Sequence, residues 1–214
     1  MRIMNRLLNL NIRILLLAAA GLLTASGLSL YFARQTPPPG FAAHVSSDGT
    51  IRCQVPEGWR AAQVSRWVSA TPRAVFLPPS PEPGHDESAL LWAYYYAKDG
   101  SIFKKPDSYL LAHRQTSKVL SKGPVIEGAV NGHPARSFWT VRALARLNGA
   151  KTEDRLVKEV HTLIAAPEGF FVLGCSAGLD ETGNSNNALL TGQYARFVRS
   201  FQSPLMESGS SLRF

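Results

Sequence analysis

Ser88–Lys98 reads SALLWAYYYAK, the strongest strand signal in the chain. Successive side chains of a strand point to opposite faces, so Leu90, Trp92, Tyr94 and Tyr96 share one side. Ala89, Leu91, Ala93 and Tyr95 share the other. Both sets are apolar. A strand of that kind belongs in the middle of a sheet with cover on both faces. The expectation is a three-layer domain rather than an open sheet with one wet side.

Downstream, Lys105-Pro106-Asp107 opens a helix: proline suits the first turn, and an acidic residue suits its positive end. Tyr109, Ala112, Thr116, Val119 and Leu120 fall on one helical face, and Lys122-Gly123-Pro124 stops the pattern. Val125–Val130 and Ala135–Leu147 read as strands joined by Asn131-Gly132, a tight hairpin signal. Asn148–Asp154 is a polar hairpin loop, after which Leu156–Ala166 returns. Pro167-Glu168-Gly169 turns the chain into a last strand, Phe170–Cys175. Leu190, Tyr194, Phe197 and Phe201 then repeat at helical spacing.

Upstream, Ile51, Cys53 and Val55 alternate with Arg52 and Gln54 as a half-buried strand. Val64–Val68 and Ala74–Leu77 read as short strands. Pro78–Glu87 (PPSPEPGHDE) is a proline-rich loop.

The N-terminal run Ile12–Ala33 (IRILLLAAAGLLTASGLSLYFA) has a single charge, Arg13, at its edge. As a helix it is long enough to cross a hydrocarbon core about 30 Å thick. Arg2 and Arg6 precede it and Arg34 closes it, which keeps the start in the cytoplasm and exports the chain beyond Arg34. The reading divides the chain into a basic cytoplasmic stub (1–11), a transmembrane anchor (12–33), a Pro-rich linker (34–45), a folded domain (46–203) and a disordered tail (204–214). The alternative is a cleaved signal, with Thr24-Ala25-Ser26 as its small-residue site and a secreted product starting at Gly27. On the anchor reading the protein is a single-pass inner-membrane protein with a periplasmic domain.

The formal net charge is +8, from 23 basic and 15 acidic residues. With Arg2, Arg6, Arg13 and Arg34 set aside, 19 basic residues leave +4 for the exported part. That mild excess, without aromatic-interleaved basic runs, argues against nucleic acid as a partner. Two cysteines, Cys53 and Cys175, form a candidate disulfide in an oxidising compartment; two buried thiols are the other reading.

No nucleophile elbow, metal-ligand spacing or paired acid and base identifies an enzyme. His85, Asp86 and Glu87 are the one compact group of ligand types, and otherwise a solvated loop. Arg136, Arg142 and Arg146 lie on one strand face as a candidate partner-facing patch, with Glu159 across from Arg142 as a neutralising pair. His161, in mid-strand, is expected to be a partly exposed pairing residue.

Four phrases stand in order along the chain: Val55-Pro56-Glu57-Gly58-Trp59, Gly132-His133-Pro134-Ala135-Arg136, Pro167-Glu168-Gly169-Phe170-Phe171-Val172-Leu173 and Phe197-Val198-Arg199-Ser200-Phe201. In their order and spacing the chain resembles the PsbP-like family, which includes bacterial exported and DcrB-like proteins. The resemblance covers roughly residues 41–203. It implies an α+β fold, an antiparallel sheet covered by helices on both faces, with non-enzymatic binding or assembly roles and no shared catalytic residues. The lipoprotein cysteine of the DcrB-like relatives is missing. The expectation is a membrane-tethered binding or assembly module without catalytic residues, cofactor or metal, serving an envelope protein complex. A small-molecule or metal carrier is the alternative, and an enzyme of unrecognised type the third.

Overall fold

The computed structural model describes residues 40–62, 73–79, 89–148, 151–179 and 192–207; side chains of 144–148 and 151–154 are outside that set. The anchor segment 12–33, the strand expected at 64–68 and the group His85, Asp86 and Glu87 all lie outside the described residues. Among the described residues no helix is long and apolar enough to cross a membrane.

Among the described residues, ten strands and three helices follow one another: β1 (Phe41–Val45), β2 (Arg52–Pro56), β3 (Arg60–Ala61), β4 (Arg73–Leu77), β5 (Leu90–Ala97), α1 (Pro106–Arg114), β6 (Val119–Lys122), β7 (Ile126–Val130), β8 (His133–Asn148), β9 (Lys151–Ala166), β10 (Gly169–Gly178), α2 (Tyr194–Ser200) and α3 (Pro204–Glu207). Eight strands make one antiparallel sheet in the order β3-β4-β5-β10-β9-β8-β6, with β7 also on β8. β1 and β2 make a separate two-stranded sheet.

β5 is an interior strand, as its two apolar faces require. Leu91, Ala93 and Tyr95 join the larger core with Phe171, Leu173 and Cys175 of β10. Residues of β2, α2 and α3 (Cys53, Val55, Phe197 and Met206 among them) close that face. Trp92 and Tyr96 point the other way. There Tyr96 packs with Tyr109 of α1, Phe138, Phe170 and Val172. The fold is therefore an antiparallel sheet with α-helices on both faces, α2 and α3 on one side and α1 on the other.

The Asn131-Gly132 turn forms as its sequence requires, with φ of 51° and 85° at its two residues. Both values are positive, the signature of a hairpin turn whose twist matches its strands. The β8–β9 hairpin is longer than its neighbours. Its register runs from Ala135↔Ile164 to Asn148↔Lys151. β6 begins opposite Arg142, and β10 ends opposite Val157. Beyond those points the hairpin continues as two strands only, among the described residues.

Four expectations are corrected. The segment assigned to the linker contains β1, because Phe41–Val45 finds a partner in β2. The helix at 105–122 stops at Arg114. Its last four residues become β6, whose β-branched Val119 pairs with β8. The tail assigned to disorder begins with α3, whose Met206 is buried in the core. Finally, Cys53 and Cys175 are free thiols. β2 pairs with β1 rather than with β10, so the two cysteines sit on different sheets, each enclosed by apolar side chains.

Candidate functional site under helix α1

β8 and β9 place their alternate residues on the face that α1 covers. Phe138, Thr140 and Arg142 come from β8; Val157, Glu159, His161 and Leu163 come from β9. The register sets Phe138 opposite His161 and Thr140 opposite Glu159. Lys105 and Pro106 begin α1 as the sequence requires, and the helix then points Tyr109 inward and carries His113 one turn later.

A chain of polar contacts results. Tyr109 Oη lies 3.1 Å from His161 Nδ1. His161 Nε2 faces Glu159 Oε2 at 3.5 Å, a loose contact for a hydrogen bond. Arg142 donates to the same Glu159 oxygen at 2.9 Å. His113 stacks on Tyr109, ring centroids 3.8 Å apart, and its Nδ1 donates to the Tyr109 carbonyl oxygen at 2.9 Å. Around these groups stand Phe138, parallel to His161 at 4.7 Å, and Trp92, edge-on to it at 5.6 Å.

The interior is short of partners. Thr140 Oγ1, Arg142 Nε, Arg114 Nε and His161 Nε2 are all buried without a hydrogen-bond partner. Burial dominates the protonation of the histidines. It pulls His161 below its ordinary value, only partly offset by Glu159. It pulls His113 down likewise, against the opposing effect of the Tyr109 carbonyl. Burial alone would raise the Glu159 carboxyl, but His161 and Arg142 outweigh it and hold the group below its ordinary value. Tyr109 is driven well above its ordinary value by burial, with nearby tyrosines and Glu159 adding to the effect, and stays a neutral hydroxyl.

The arginine stripe is not one exposed face. Arg142 and Glu159 pair as expected, but their side chains are only 20% and 14% exposed, on the sheet face that α1 covers. Arg136 lies nearer the rim. It donates to Asp107 of α1 at 2.6 Å, with side-chain exposures of 31% and 76%. The Arg146 side chain lies outside the described residues. His161 is 2% exposed, so its expected partial exposure is corrected too. The aromatic and ionisable residues of α1 were the signal for this cluster, but a strand histidine alone does not say which face will be covered.

Cys53 and Cys175 are on the opposite face of the sheet. Burial raises both thiols to about 12, which keeps them protonated and unreactive. Among the described residues no group of three His, Cys, Asp or Glu side chains is placed to hold a metal ion.

No family model and no curated protein sequence matches the chain. Solved structures do. The Ran-binding protein Mog1p of Saccharomyces cerevisiae is similar over 76% of this chain and 95% of its own, at 13% identity and a TM-score of 0.52. A mutant form of Mog1 is similar over 78% and 97%, at 14% identity and 0.53. The PsbP protein of the cyanobacterium Synechocystis matches over 78% and 95%, at 9% identity and 0.42. The architecture is thus an α+β fold of the Mog1 kind. At these identities the likeness concerns the fold alone.

Proposed function

We propose that this chain is a membrane-tethered, exported module of the PsbP-like kind that binds a protein partner in an envelope complex and performs no catalysis. The observation that carries the binding reading is the β6/β7 edge of the large sheet. Its strands expose Leu120 (62%) and Ile126 (63%), and α1 beside β6 exposes Leu111. Large apolar side chains left exposed along a sheet edge are costly in water and useful against another protein. Arg136, cross-strand to Glu127 of β7, adds charge at the same rim.

The inward polar cluster supports the non-enzymatic side. Tyr109, Glu159 and His161 serve the packing of α1 against the sheet, and a substrate does not reach His161 while the helix is in place. A protein with this fold, Mog1p, is described as Ran-binding, which agrees with a protein-binding use of the architecture. The tether rests on the apolar run 12–33 and its arginine flanks.

Two measurements test the proposal. The full chain is expected in the membrane pellet after alkaline washing; a soluble product starting near Gly27 overturns the tether. Crosslinked capture from the envelope is expected to yield a protein partner. The double variant Leu120→Asp, Ile126→Asp should weaken that capture while leaving the melting temperature within about 2 °C, since exposed substitutions are nearly neutral. Unchanged capture with folding intact overturns the edge as the binding surface.

A further inference from the structure

We propose that α1 is an acid-released clamp: its polar hold on the sheet runs through the Tyr109 hydroxyl donating to His161 Nδ1, the one place where His161 can take a second proton.

The tautomer follows from the neighbours. His161 Nε2 faces an oxygen of Glu159, an ionised carboxylate that can only accept, so this nitrogen carries the hydrogen. Nδ1 then has the lone pair, and Tyr109 Oη–H, 3.1 Å away, donates to it. A proton arriving from solvent binds that lone pair. The Tyr109 hydroxyl must then turn and accept, which leaves its own hydrogen buried without an acceptor, or α1 must withdraw. An unsatisfied buried donor is costly, so the hydrogen bond that fastens the helix at neutral pH opposes it in acid.

The surrounding charges reinforce the effect. Among the described residues Glu159 of β9 is the one carboxylate facing His161, and Arg142 of β8 already occupies its Oε2. An imidazolium adds a second cation to that single anion. From α1, Arg114 lies on the Phe138 side and donates to the Gly123 carbonyl oxygen. His113 lies 5.6 Å from His161, centroid to centroid, and repels it once both are charged. β5 offers Trp92, Tyr94 and Tyr96 on this face, and β10 offers Phe170 and Val172, none of which supplies a compensating anion.

Release is local because α1 has little else beneath it. It is nine residues long, and Tyr109 is its one fully buried side chain. Its other polar ties are the rim pair Arg136–Asp107, the Arg114 bond to Gly123 and a bond from Lys122 Nζ to the Arg114 carbonyl oxygen, and the half-buried Leu110 packs beside Tyr109. The main core lies on the far side of the sheet and does not depend on the helix. Opening bares the aromatic faces of Tyr96, Phe138 and Phe170.

Amide hydrogen exchange on the full chain at pH 7.5 and 5.0, corrected for intrinsic rates, tests the clamp. A histidine that titrates near 6.5 when open and lower when closed favours opening in acid, by at most about 30-fold between pH 7.5 and 5.0. Peptides of α1 should lose protection severalfold, up to about that factor, while those of β5 and β10 keep theirs. His161→Gln retains an acceptor for Tyr109 and a donor for Glu159 but takes no second proton. It should remove most of the acid response of α1. Parallel loss across α1 and the core strands, or a full response in His161→Gln, overturns the proposal. Imidazole nitrogen NMR on the wild type is independent of any variant. It should show His161 as the Nε2–H tautomer at pH 7.5 and its protonation coinciding with loss of α1 protection. The Nδ1–H tautomer, or a charged His161 under a protected α1, overturns it equally.

Discussion

Gly174→Ala adds one methyl group to the middle of β10, directly beneath Trp92. A Cβ built there would stand 2.1 Å from both Cε2 and Cζ2 of the indole. Ordinary carbon–carbon contact is about 3.5–4.0 Å, so the ring must retreat by roughly 1.5 Å. It has little room. Trp92 is buried, and Gly174 is cross-strand to both Trp92 and His161, so the indole reaches His161 across the glycine. Overpacking of this kind costs about 1–3 kcal/mol. Losing the edge-to-face contact with His161 adds about 0.5–1.5 kcal/mol. The lower unfolded-state entropy of alanine returns about 0.4–1 kcal/mol. The expected net loss is about 2 kcal/mol, or a melting temperature lower by about 4–8 °C for a domain of this size. Thermal unfolding followed by tryptophan fluorescence measures it. Gly128→Ala is the control, since a Cβ there meets nothing within 4 Å. If Gly174→Ala melts within 1 °C of Gly128→Ala, about a quarter of the smallest expected shift, the steric reading of this glycine is wrong.

The thiols should behave as buried acids held near 12: Cys53 and Cys175 label slowly in native protein at pH 8, label fully after denaturation, and give identical gels with and without reductant. Arg142→Met strands Glu159 in a largely buried position and should cost about 2–4 kcal/mol at pH 7 by chemical denaturation. Glu159 is held below its ordinary value, so its contribution is complete above about pH 4.5 and is lost as pH falls through the folded value. The deficit of the variant should therefore shrink in acid; a constant deficit refutes the assignment. Arg136→Ser removes a pair open to solvent and should change stability by about 0–1 kcal/mol in the same assay.

Much of the fold could be read from residues alone. The two apolar faces of 88–98 announced an interior strand, Asn131-Gly132 announced a hairpin, and Lys105-Pro106-Asp107 marked a helix start. Those signals are local, arising from alternation, turn chemistry and capping. What escaped was decided at a distance. Val119 and Leu120 continue a helical pattern in sequence, yet the free edge of β8 claims them as a strand. Phe41–Val45 has no strong period of its own and becomes ordered by pairing with β2. Arg142 and His161 look like members of exposed strand faces until α1 covers them. The pairing of Arg142 with Glu159 was legible because opposite charges across adjacent strands seek each other. The burial of that pair was not, because no local pattern states which part of a sheet a nine-residue helix will cover.

The two-stranded end of the β8–β9 hairpin sets a reach. Six residue pairs, from Ala143↔Leu156 to Asn148↔Lys151, continue past the last described neighbours on either side. At about 3.3 Å per residue that is an arm of roughly 20 Å. Its length is adjustable in a way the rest of the sheet is not. Removing one residue from each strand shortens the arm by one rung, and removing two from each keeps every remaining side chain on its original face. Shortening by whole double rungs therefore leaves the Arg142–Glu159 pairing and the seat of α1 as they are, while drawing the tip inward by about 7 Å per step.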